Sequence, residues 1–147
     1  AYIPIKSSQF KKAGGMMKNT SYIEQTLLQS GVQLDGPPMV EVLKWDMSVD
    51  SLEYNFCYPI IKSDSLPKNT DLKYKRILSK KALKATYNGN YITSDRAWYK
   101  LMDYADKNNI KVAPIPVEAL YNNPNFGGNE LNWKAEIYMP IKEEQGE

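Results

Sequence analysis

The sequence contains no histidine and one cysteine, Cys57. Without imidazole there is no histidine base, histidine-activated nucleophile or histidine metal ligand, and a lone thiol closes neither an intrachain disulfide nor a cysteine zinc site. Chemistry is confined to carboxylates, Lys, Tyr, Ser and Thr; no cofactor and no metal site is expected. Neither sign of charge dominates: 19 basic against 17 acidic residues leave +2, too weak a field to draw the chain to nucleic acid or membrane without a local patch. No apolar run approaches the roughly 20 residues of a membrane span, and no signal-peptide pattern opens the chain, so the cytoplasm is the expected location. The first residue is Ala1 rather than Met, and an upstream DNA-binding or membrane-anchoring segment stays an open expectation.

What is present indicates a folded domain. A length of 147 residues suits one domain, or two small units sharing a core, and 42% hydrophobic residues set the chain apart from disordered sequences. Two passages share one grammar. The first runs from an extended Tyr2 to Ile5, through a helix ending near Ser30, to strands near Met39 to Trp45 and Leu52 to Ile60. The second runs from a strand near Leu83 to Tyr87, through a helix near Ser94 to Lys107, to strands near Val117 to Tyr121 and Asn132 to Ile141. Between them "KSDSLPKNTD" is polar and carries a Pro, as a linker does. The expected organisation is one domain over 1–147, with repeats 1–61 and 72–141, linker 62–71, an extra strand from Lys73 to Leu78, and a tail 142–147.

The second helix is marked by Ser94 as N-cap and by Ala97, Trp98, Leu101, Met102 and Ala105 at one-turn spacing. In the first, Tyr22, Ile23, Leu27 and Leu28 share a face that Gly31 closes. Upstream, Gly14 and Gly15 weaken "KKAGGMMKNT", which predicts a broken helix.

The repeats align through their last strands when Pro59 is set on Pro140. Leu52, Tyr54, Phe56 and Tyr58 then match Trp133, Ala135, Ile137 and Met139 as core faces with the period of two that a pleated strand imposes. On the other faces Asn55 matches Glu136 and Cys57 matches Tyr138. If that face meets open water, Glu136 is an ordinary strand residue paired with a lysine; if it lines a cavity, Glu136 is a charge placed for a ligand. A merely solvated face would not be expected to hold Cys57 or Tyr138, which favours a groove between the halves.

In order and spacing, "ATYNGNY", "AWYKLMDYADKNNI", "EALYNNP" and "KAEIYMPI" resemble the GyrI-like small-molecule-binding family, which includes effector domains of bacterial AraC-type and MerR-type transcription regulators. The resemblance implies an α+β fold of two pseudo-symmetric strand-helix-strand-strand units, forming an antiparallel sheet with helices on one side and a ligand cleft between the units. The last strands are expected near the pseudo-twofold axis, with both helices away from the cleft. It also implies multidrug-type recognition of lipophilic, cationic aromatic compounds, with Glu136 at the position of the family's cleft glutamate. A desolvated carboxylate among aromatics suits such a cation on physical grounds alone, because a buried unpaired charge is costly and cation–π contacts add about 0.5 to 2 kcal/mol each.

Ligand-binding candidates are therefore Glu136, Tyr138, Tyr121 before the turn at Asn122, Tyr91 after "NGN", Trp45 as a wall from the first half, and Asn55. Core burial is the competing role for Trp45, Trp98 and Trp133. "KYKRILSKKALK", residues 73–84, is the single basic stretch; without a helix-turn-helix, zinc module or Gly-rich RNA motif it predicts solvated strand faces, not nucleic-acid binding by this chain alone. Cys57 has no histidine to activate it. The expected function is a ligand sensor or sequestering domain, alone or within a transcription regulator, with a small lipophilic or cationic ligand as partner and a homodimer as one permitted assembly. The alternative is a hydrolase of reactive lipophilic compounds using Glu136 and Tyr138.

Overall fold

Alternating strands and one-turn helical stripes become a single sheet with two helices in a computed structural model that describes residues 1–8, 10–64, 66–68, 70–123 and 127–142. In chain order these are β1 (Tyr2–Ser7), α1 (Lys12–Gln29), β2 (Met39–Asp46), β3 (Ser51–Cys57), β4 (Ala82–Asn88), α2 (Asp95–Lys107), β5 (Val117–Leu120) and β6 (Lys134–Pro140). Of the tail expected at 142–147, all beyond Lys142 lies outside the described residues.

The strand order is β1-β3-β2-β5-β6-β4, every pair antiparallel. Read from either edge inward, first, last and middle strands of each repeat follow in turn. The halves therefore meet at β2 and β5, not at the last strands β3 and β6 as expected; each last strand is flanked by both sister strands of its own unit. The seam pairs Met39 with Ala119, Val40 with Glu118 and Glu41 with Val117. Rotation about the Val40–Glu118 pair carries Glu41, which faces Asn55, onto Ala119, which faces Glu136. The register thus reproduces the Asn55–Glu136 and Cys57–Tyr138 matches read from the prolines.

One face of the sheet packs under both helices. Val40, Leu52, Tyr54, Phe56, Ala135, Ile137 and Met139 join Ile23 and Leu27 of α1 and Trp98 and Leu101 of α2 in one buried cluster. A bulge between Val42 and Lys44 shifts the phase of β2, so that Trp45 follows Val42 onto this helix face. There it meets Trp98 at 5.0 Å and Tyr99 at 5.3 Å, edge to face. The opposite, open face carries Asn55, Cys57, Glu41, Met39, Ala119, Glu136 and Tyr138.

The first helix is continuous where a break was expected. A Cβ at Gly15 would fall 2.8 Å from the Tyr54 hydroxyl, which donates to the Lys12 carbonyl at 3.1 Å. Gly15 lets α1 lie against β3, and this packing outweighs its poor helix propensity. At the other end Gly31, at φ +71°, closes a Schellman motif: its N–H reaches the Leu28 carbonyl at 3.0 Å and the Val32 N–H reaches that of Leu27 at 3.0 Å. Residues 73–78 form no strand beyond one bridge between Lys73 and Tyr2. Past that bridge Lys75 turns over the open face to Glu41, which takes the backbone off the β1 edge.

The two neighbouring glycines should respond oppositely to a methyl group. Nothing lies within 4 Å of a Cβ at Gly14, so Gly14→Ala should gain about 1 kcal/mol of helix propensity. Gly15→Ala, which must displace Tyr54, should leave the protein less stable than Gly14→Ala does; urea melts of both variants compare them.

Candidate ligand cleft and the Glu136 cluster

Glu136 is the centre of a hydrogen-bonded cluster on the open face. Its Oε2 accepts from the hydroxyls of Tyr138 at 2.7 Å and Tyr121 at 2.9 Å, while its Oε1 lies 3.4 Å from the ammonium groups of both Lys84 and Lys134. Strand geometry explains the gathering: Ala119 sits opposite Glu136 and Lys84 opposite Tyr138, and Tyr121 continues the phase of Ala119. The two tyrosine bonds, with Lys84 behind them, hold the Glu136 carboxyl down at about 2. The same bonding pushes Tyr138 up to about 12 and raises Tyr121.

A cavity of about 220 Å³ lies on the helix side, where α1 faces the end of β5. Met16, Met17, Thr20 and Glu24 of α1 form one wall of it, so this cavity, unlike the cleft expected from the sequence, lies on the side of the helices. The opposite wall is aromatic, from Phe56, Tyr58, Tyr91 and Tyr121. Glu24 accepts from the Tyr58 hydroxyl at 3.0 Å, and among the described residues no lysine or arginine lines the space. Of the sequence candidates, Tyr91 and Tyr121 line this cleft. Tyr91 is fixed there by donating to the Lys134 carbonyl at 2.7 Å and accepting from the Asn122 N–H at 3.1 Å. Glu136 and Tyr138 connect to the cleft through Tyr121. Trp45 lies instead against Trp98 and Tyr99, because the bulge turns it to the helix side. Asn55 is buried two strands away from β5, donating to Glu41 at 2.9 Å.

Residues 23–142 match the GyrI-like small molecule binding domain. The chain belongs to this family. The fold is shared with SAV2435, solved bound to tetraphenylphosphonium, at TM-score 0.58 and 14% identity over 95% of this chain and 86% of that one. A hydrolase from Listeria innocua is also similar, at TM-score 0.53 and 11% identity over 96% of this chain and 86% of that one. No curated protein matches the sequence.

This GyrI-like domain also holds a buried ion pair that its sequence did not announce. Lys12 Nζ lies 2.5 Å from Glu118 Oε1, both side chains fully buried, and donates to the Ser94 hydroxyl at 2.6 Å. Its ammonium stands 4.6 Å from the Trp98 ring centroid. Ser94, expected as a helix cap, makes no capping bond; its hydroxyl donates instead to the Tyr91 carbonyl at 3.0 Å. Alternation along "VEAL" was the available signal, since Glu118 falls out of phase with the polar face. Among the described residues no group of three or more Asp, Glu, Cys or His side chains is placed to hold a metal, and no helix is long and apolar enough to cross a membrane.

Lys12→Met leaves Glu118 buried without its partner and should destabilise the fold by about 3 to 5 kcal/mol, whereas Lys12→Met with Glu118→Leu should recover most of the loss; urea unfolding measures both. Glu136 gives a pH signature. Its folded pKa of about 2 lies below the ordinary 4.5, so its contribution is full above about pH 5 and lost as pH falls towards 2. Thermal melting points of wild type and Glu136→Gln should therefore differ most near neutrality and converge on acidification.

Proposed function

We propose that this domain binds small lipophilic cations, without altering them, in the cleft between α1 and the end of β5. The observation that carries the reading is the lining: four aromatic residues and Glu24, with no cationic residue among the described ones. Aromatic faces attract a cation by about 0.5 to 2 kcal/mol each. A carboxylate at the wall adds preference for positive charge when water is excluded. The tetraphenylphosphonium held by SAV2435 is a ligand of this class. At about 220 Å³ the cleft is smaller than the roughly 300 Å³ of an ordinary small-molecule pocket. A bulky ligand requires Met16 and Met17 to repack, which unbranched thioether side chains allow.

Glu136 contributes by position: its bond to the Tyr121 hydroxyl orients a ring at the cleft, with Tyr138 and Lys134 supporting the carboxylate. The domain would serve as an effector sensor or a sequestering protein in the cytoplasm, alone or joined to a transcription regulator.

Calorimetric titration with tetraphenylphosphonium and with neutral triphenylphosphine oxide tests the reading. Wild type should prefer the cation. Met17→Lys, which places a positive charge on the wall, should weaken the cation by about tenfold or more and the neutral compound far less. Glu136→Gln should weaken both modestly and together. Equal affinity of wild type for cation and neutral compound would reject a cation-selective cleft.

A further inference from the structure

The linker and the basic stretch after it are not idle coil. Described residues between Lys62 and Ser79, among them Lys62, Leu66, Tyr74 and Arg76, line a cavity of about 1140 Å³ over the open face of the first unit. Its floor is Tyr2, Met39 and Cys57, and its walls include Ile60, Leu66 and Tyr74. Among the described residues three cationic ones line it, Lys62, Lys75 and Arg76, and no acidic one does. The lining thus has the opposite charge character to the cleft on the helix side.

The cations divide into one that is occupied and two that are free. The Lys75 ammonium pairs with Glu41 and stands 5.1 Å from the Tyr2 ring centroid. Lys62 and Arg76 are exposed and enter no ion pair among the described residues. Beside them Ile77 and Leu78 also line the cavity, 46% and 66% exposed. Adjacent uncovered apolar surface and unpaired positive charge is the pattern of a surface awaiting an occupant. The Cys57 thiol on the floor is raised to about 12, chiefly by burial, which suits an inert wall and not a nucleophile.

We propose that this cavity is a second ligand site, one that takes an amphipathic anion: an acidic head between Lys62 and Arg76, and an apolar tail laid over Met39 and Cys57 beneath Leu66 and Tyr74. The volume exceeds the upper range of ordinary small-molecule pockets, about 1,000 Å³, and accommodates a saturated chain of about a dozen carbons. A neutral lipid would leave the two cations unused, and a lipophilic cation would be repelled by them. Complementary charge with an apolar body selects the anion.

The test is calorimetric titration of the full chain with dodecanoate, dodecanol and dodecyltrimethylammonium, each below its micelle concentration. Dodecanoate should bind at one site, about tenfold more tightly than dodecanol, with the ammonium compound weakest at this face. The double charge reversal Lys62→Glu/Arg76→Glu, at two exposed positions where folding is not at stake, should weaken dodecanoate by about tenfold or more. It should leave dodecanol and tetraphenylphosphonium affinities unchanged, with the circular dichroism spectrum as a check on fold. Failure of dodecanoate to bind, equal affinity for dodecanoate and dodecanol, or dodecanoate affinity that survives the reversal would each overturn the proposal. Failure of wild type to bind tetraphenylphosphonium would bear on the helix-side cleft alone.

Discussion

The contact between Lys12 and Glu118 fixes how the two halves of the domain meet. Removing either charge from water costs several kcal/mol, recovered only where geometry is close and further hydrogen bonds are made. Here the recovery draws on four places in the chain: Lys12 in the first turn of α1, Glu118 at the centre of the seam, Ser94 just before α2, and Trp98 within α2. Sliding α1 along the sheet would break all of these contacts together. The arrangement is also incompletely satisfied, since Glu118 Oε2 and Trp98 Nε1 are buried without a hydrogen-bond partner among the described residues. Unsatisfied polarity at a packed centre is uncommon, and here it coincides with the point where pseudo-symmetry sets Glu118 against an apolar Val40.

Anchoring α1 at its first turn has a consequence further along the helix. With Lys12 held at the seam and Gly15 pressed onto Tyr54, the next turns, from Met16 to Glu24, stand over the gap beside β5 and wall the cleft. The cleft is a product of the same contact that joins the halves. On the far side of the sheet the pseudo-symmetry is broken differently. Glu41 and Glu136 are not symmetry mates, yet each is matched by lysine, Glu41 by Lys75 and Glu136 by Lys84 and Lys134. Their negative charge is used internally, which leaves Lys62 and Arg76 to set the character of the cavity under the linker.

How far the sequence discloses this depends on whether the cause is local. The alternation of "NWKAEIYMPI" and its match to "SLEYNFCYPI" fixed faces and register correctly, because a strand's period of two admits no partial error. Gly31 was legible for the same reason, a local left-handed turn. Gly14 and Gly15 were not: the need for Gly15 comes from Tyr54, distant in sequence and adjacent only after folding. Trp45 misled because one bulged residue reversed its face. Glu118 and Lys12, far apart in the sequence, are joined by the crossing of the two repeats, which no short stretch encodes. The meeting of β2 and β5 also depends on which strand each unit leaves unpaired, a property of assembly and not of any one strand.

Tyr58 belongs to the linings on both sides of the sheet. It lines the cleft beside α1 and also the cavity under the linker. Its hydroxyl is held by Glu24, and burial together with that carboxylate keeps the phenol protonated well above the ordinary tyrosine range. Its backbone N–H donates at 2.8 Å to the Ala1 carbonyl, and Ala1 is itself part of the far wall. A second copy of a strand-helix-strand-strand unit thus leaves a cavity on each side of one sheet, opposite in lining charge, with Tyr58 common to both linings.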